Sequence, residues 1–149
     1  MPKVVHTDDK GLVQSAGSAV YLRSAKGLIK NQGALVVLAD DAVAQSASDY
    51  ATGICTITPG AARTQNMASA ASIISTLNLT ADNDSFDLSI INLSVANNLT
   101  LAAPDGNVVL LGSPIVYARD DAADAVSSGS AQFRIRRTSS TAVAVIRLS

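Results

Sequence analysis

From Asp84 to Gly112 the chain reads DSFDLSIINLSVANNLTLAAPDGNVVLLG, and this stretch restricts the available folds more than any other. Phe86, Leu88 and Ile90 alternate with Asp87 and Ser89, a period of two with one apolar face. Ile91 and Leu93 add apolar groups on the other face, which predicts a strand covered on both sides near its end, or a bulge. Ala96-Asn97-Asn98 reads as a turn, and Leu99 and Leu101 resume the alternation. Pro104-Asp105-Gly106 is a second turn, with a glycine able to take positive φ. NVVLLG (107–112) and SPIVYAR (113–119) read as further strands, and DDAADAVSSGS (120–130) as a polar loop. QFRIRR (132–137) and TAVAVIRLS (141–149) read as a hairpin about Thr138-Ser139-Ser140. Strands of this kind, separated by turns every eight to twelve residues or so, predict a mainly β protein: an antiparallel meander closing into a β-sandwich or jelly-roll-like domain. Its expected core is Phe86, Leu88, Ile90, Leu99, Leu101, Val109, Leu111, Phe133 and Ile135.

Upstream, YATGICTIT (50–58) is β-branched and stops at Pro59-Gly60, so it predicts a strand. In TQNMASAASIISTLN (64–78), Met67, Ala70 or Ala71, Ile74 and Leu77 recur at helical spacing. That predicts one short helix over about 67–77, capped by Thr64 or Asn66. Residues 1–48 differ in character. They hold Lys3, Lys10, Lys26 and Lys30, which are all the lysines, and the lone His6. Their short apolar pieces, Ala19–Leu22 and Ala34–Leu38, suit one or two short strands, and DDAVAQSASDY (40–50) fits a short helix or a loop. We read 1–48 as an N-terminal arm and 49–149 as the β-sandwich domain.

Composition narrows the function classes. Hydrophobic residues are 48% and charged residues 15%, which suits a packed core, yet aromatics are 3% and Trp is absent, so that core must be small and branched aliphatics. None of the 12 acidic residues is Glu, a helix former, which points away from an all-helical fold. A net charge of −1 supplies no field toward nucleic acid or an acidic membrane, and no apolar run suits a bilayer span. Neither is an expected partner. MPKVVHTDDKG carries charges where an export signal needs an apolar stretch, so synthesis in a cytoplasm is expected.

Candidate chemistry is sparse. His6 lacks a second ligand nearby for zinc and reads as a solvated residue. Cys55, inside a strand and without a base, reads as a small buried hydrophobe. Asp82-Asn83-Asp84 lacks the later Gly and the closing Glu of a calcium loop and reads as a turn. Asp120, Asp121 and Asp124 could hold a hard cation or act as carboxylate pair, but sit in a polar loop. The sequons at Asn78, Asn92 and Asn98 are expected by chance in a chain rich in Asn, Ser and Thr. No cofactor, metal or catalytic residue is expected. Arg134 and Arg136 share a parity and project from one sheet face, where they suit either an interface with carboxylates or an ordinary exposed strand. TAVAVIRLS is apolar on both parities; we expect Val143 and Val145 on one side to meet a second subunit.

ITPGAARTQNMASAASIISTLN, DSFDLSIINLS, NLTLAAPDGNVVLLGS and SAQFRIRRTSSTAVAVIRLS, spanning about residues 54–149, together resemble capsid decoration (cement) and head-surface proteins of tailed bacteriophages. Where that pattern carries a proline before its Ala-rich helix, this chain has Met67-Ala68. The resemblance implies a non-enzymatic, β-rich, homotrimeric structural protein on the capsid surface of the virion, bridging major capsid subunits. On this reading the lysines of the arm and the Arg134 and Arg136 face are contact candidates. The alternative is a fibre-tip or head-fibre module that binds a host receptor through loops 94–98, 104–107 and 119–130. An Asp-based hydrolase is the third and weakest reading.

Overall fold

The computed structural model describes residues 4–7 and 11–14 by backbone alone, and 34–41, 43–119 and 129–149 fully. The chain divides into two compact units between Asn31 and Gln32, rather than near residue 48. In the first, β1 (Val4–Thr7) and β2 (Gly11–Gln14) pair antiparallel, Val5 opposite Val13. The expected strand at Ala19–Leu22 lies outside the described residues.

The second unit runs β3 (Val36–Val37), α1 (Ala47–Tyr50), β4 (Ile54–Ile57), β5 (Arg63–Asn66), α2 (Ala70–Thr76), β6 (Ser85–Asn92), β7 (Leu99–Ala102), β8 (Val108–Leu111), β9 (Ile115–Val116), β10 (Ser130–Arg137) and β11 (Val143–Arg147). A six-stranded sheet has the order β3-β4-β6-β10-β11-β8, and a three-stranded sheet the order β5-β7-β9. The protein is therefore mainly β, as the sequence predicts. Its pairing is mixed, however. β3 with β4, β4 with β6, β11 with β8 and β5 with β7 are all parallel, which corrects the antiparallel expectation. The meander is also corrected: β6, β7 and β8 are consecutive in sequence but alternate between the two sheets. In the second unit the β10–β11 hairpin follows the simple scheme, with Ile135 opposite Val145.

One buried cluster draws on both sheets. Leu88, Ile90, Phe133, Ile135, Val143 and Val145 come from the large sheet, and Leu99, Leu101 and Val116 from the small one; Tyr50 and Ile73 add the helical layer, with Met67 from the segment before α2. The strand phase holds for six of the nine expected core positions, and Phe86 packs at the margin. It fails in β8, where Val108 is buried while Val109 and Leu111 are 47% and 48% exposed. Four successive aliphatics have no parity of their own; pairing with β11 sets it, placing Val108 beside buried Val143.

The helices are set by capping. Ser46 and Asp49 form a capping box on α1, each side chain taking the other's backbone N–H. α2 starts at the cap Ser69, whose hydroxyl accepts from Ser72 N–H, and not at Thr64 or Asn66. Those two residues belong to β5, a polar strand held by β7 up to the bond from Met67 N–H to Ala102 carbonyl. α1 thus settles the 40–50 segment, read as a short helix or a loop, as a single helical turn, and α2 is the expected short helix with a later start.

Candidate functional site

Alternation along β10 divides the large sheet into two faces. Phe133 and Ile135 enter the core, while Arg134 and Arg136 point outward. Register extends that outer face across the sheet. Arg134 lies opposite Asp87 and Ile146, and Arg136 opposite Ser85 and Ala144. Ala144 and Ile146 in turn sit beside Val109 and Leu111. At the other side, Ile91 neighbours Thr56, which neighbours Val37.

Arg134 forms a two-pronged pair with Asp87, Nε to Oδ1 at 2.7 Å and Nη2 to Oδ2 at 3.0 Å. Asp87, by hydrogen bond first and by charge second, holds the Arg134 pKa above its ordinary value. Both groups are largely solvated, so the pair fixes geometry more than it adds stability. Arg136 donates to Asn83 Oδ1, and Asn83 sits at a φ of 76°, in the left-handed region. The result is a polar centre of two oriented guanidinium groups, flanked toward one edge by Val109 and Leu111 and toward the other by Val37, 74% exposed, and Leu35.

Val143 and Val145, expected at a subunit contact, are instead core residues of this chain, 0% and 1% exposed. Their face is covered within the fold by the small sheet and the helical layer, and the other face of β11 carries Ala144, 6% exposed, and half-buried Ile146. Lys3, Lys10, Lys26 and Lys30 lie outside the described residues, as do Asp120, Asp121 and Asp124.

Two further arginines, Arg137 of the FRIRR run and Arg147, which the sequence reading did not single out, are structural. Arg137 Nη1 donates to Leu79 carbonyl at 2.8 Å and its Nε to Ser139 carbonyl at 2.9 Å, with Asp82 at 3.3 Å. Arg147 stacks over Phe133 and donates to Ile115 carbonyl. The available signal was parity, Arg137 with core-facing Phe133 and Ile135 on β10 and Arg147 with Val143 and Val145 on β11; at its strand end Arg147 bonds across to β9 of the small sheet. Asn92 plays a similar part. It is 1% exposed, donates from Nδ2 to Asn97 and Val116 carbonyls, and accepts Ser94 N–H on Oδ1. Its sequon is therefore closed to modification in the folded chain.

The other candidates have structural explanations. Burial, with a smaller contribution from Asp49, pushes the Cys55 thiol up to about 11, and its Sγ lies 3.1 Å from Asp49 carbonyl. That is the opposite of an activated nucleophile. Burial likewise raises Tyr50 well above the usual phenol range. Asp84 turns inward on its own loop, accepting Ala81 N–H at 2.8 Å, which lowers its pKa. Gly60 N–H and then Arg63 do the same for Asp40. Among the described residues no group of three His, Cys, Asp or Glu could hold a metal ion. Loops 94–98 and 104–107 fall at opposite ends of the large sheet: one follows the end of β6, and the other lies beside the start of β11 through Val143 N–H to Asn107 carbonyl. They do not form a single tip. Most of 119–130 is outside the described residues.

No protein-family model, curated protein or solved structure matches the chain. No helix among the described residues is long and apolar enough to cross a membrane.

Proposed function

We propose that this chain is a non-enzymatic structural protein of a bacteriophage virion. On this reading it decorates and stabilises the capsid, as a homotrimer that bridges major capsid subunits. Its two sheets are taken as a β-sandwich whose small sheet and helices cover one face of the large sheet. The observation that carries the proposal is the other face of the large sheet, where Arg134 and Arg136 are exposed and oriented near the centre and exposed Leu35, Val37, Val109 and Leu111 lie toward the two edges. A broad, mixed surface of this kind suits attachment by area and charge, and many copies on a shell multiply weak contacts. The resemblance of residues 54–149 to decoration proteins names the shell as the partner. Gold-labelled antibody to this chain, applied to intact virions of the phage that encodes it, tests the proposal. Labelling distributed over the head is expected; labelling confined to tail or fibre tips would favour a receptor-binding module, and unlabelled virions would remove the proposal.

A further inference from the structure

The large sheet ends in two strands, β3 and β8, and among the described residues neither carries a further neighbour on its outer side. The two ends match each other. β3, β4 and β6 run the same way, β10 opposes β6, β11 opposes β10, and β8 runs with β11. β3 and β8 therefore point in one direction.

The backbone groups match as well. Val143 N–H donates to Asn107 carbonyl, so in β8 positions 107, 109 and 111 bond toward β11 and Leu110 turns its N–H and C=O outward. Leu38 N–H donates to Thr56 carbonyl, so positions 36 and 38 bond inward and Leu35 and Val37 turn theirs outward. In a parallel pair, one residue bonds to the two residues flanking its opposite number. Leu110 would thus sit opposite Val36, bonding to Leu35 and Val37 of the next copy.

Leu110 and Val36 both face the core side, so Val109 and Leu111 fall beside Leu35 and Val37 on the outer side. All four are 47–74% exposed in the single chain, and neither strand holds a charged residue of the kind that guards an open edge.

We propose that copies of this chain join edge to edge, with β8 of one copy extending in parallel onto β3 of the next. The contact is head to tail, so it closes into a ring or runs on as a fibre. This rests on the self-association part of the proposed function and is independent of the capsid. A full-length chain carrying both Val37→Cys and Leu111→Cys tests it. Neighbouring parallel strands lie about 4.8 Å apart, within the Cα range of a disulfide. Both sites are exposed, so folding is preserved, and native Cys55 is 0% exposed and does not compete. Mild oxidation is expected to give covalent species larger than a dimer in the double variant, while either single variant stays uncrosslinked. Oligomers by light scattering without that crosslink would overturn the edge contact and leave self-association standing. Crosslinking by Leu111→Cys alone would overturn it in favour of two β8 edges meeting. A monomer at micromolar concentration would remove both.

Discussion

Asn92→Ala should be among the most damaging substitutions in the chain, although the residue looks like one more polar member of an alternating strand. Its side chain is 1% exposed and makes three hydrogen bonds: 2.8 Å to Asn97 carbonyl, 3.2 Å to Val116 carbonyl and 2.9 Å from Ser94 N–H. Each is worth about 0.5–1.5 kcal/mol net, and alanine also leaves buried groups of Val116 and Ser94 unpaired, so the expected loss is about 2–4 kcal/mol. These bonds tie the end of β6 to β9, linking the large sheet to the small one. Urea unfolding of the full chain measures the loss. With a slope of about 1–3 kcal/mol per molar, the midpoint should fall by about 1 M or more at unchanged slope. Asn92→Asp should be worse at pH 7 and should recover as the pH falls, because a buried carboxylate facing two carbonyls is tolerated only when protonated. A midpoint within about 0.3 M of the parent for Asn92→Ala would refute the role assigned to this side chain.

Phe133→Ala removes a 2% exposed ring from the centre of the core and should cost about 3–5 kcal/mol by the same assay; an unchanged midpoint would contradict the strand phase. Stability should fall on the alkaline side. Cys55 is held at about 11 against an ordinary 9.0, and Tyr50 is raised too, so above pH 9 the unfolded chain releases protons that the folded chain retains. Stability is complete below pH 9 and then declines by up to about 1.4 kcal/mol per pH unit for each group; Cys55→Val should remove its share. A chain beginning at Gln32 should fold, because the second unit starts there. One beginning near residue 48 loses β3, buried Leu38 and the Asp40–Arg63 pair, and should have a clearly lower thermal midpoint. Equal midpoints would place those residues outside the cooperative unit.

The sequence was most readable where alternation was clean and neighbours in sequence were neighbours in space. β10 meets both conditions, and its faces follow from QFRIRR directly, as does its hairpin with TAVAVIRLS. Val-Val-Leu-Leu of β8 carries no parity, so its facing depended on β11, a partner some thirty-five residues away whose parallel register no local signal encodes. Val143 and Val145 were placed at an interface because an apolar strand on both parities needs two covers; the small sheet supplies one of them within the chain. β5 was invisible for the converse reason. Arg-Thr-Gln-Asn has no strand signature, and only its pairing with β7 makes it a strand. The outward Arg134 and Arg136 were legible from parity alone. The bond from Arg134 to Asp87 was not, since it joins residues on strands brought together by the fold.

The central claim is that the outer face of the large sheet attaches this chain to a phage shell. Co-sedimentation with purified, undecorated shells of the phage that encodes it tests this most directly, comparing the full chain with Arg134→Asp/Arg136→Asp. Both side chains are exposed and outward, so the variant should keep its thermal midpoint within a few degrees. The account predicts saturable binding of the full chain, in a fixed ratio to the major capsid protein, and binding weakened at least about tenfold in the variant, a change of roughly 1.4 kcal/mol. Equal binding by both would move the attachment surface elsewhere, and no binding by either would contradict the claim outright.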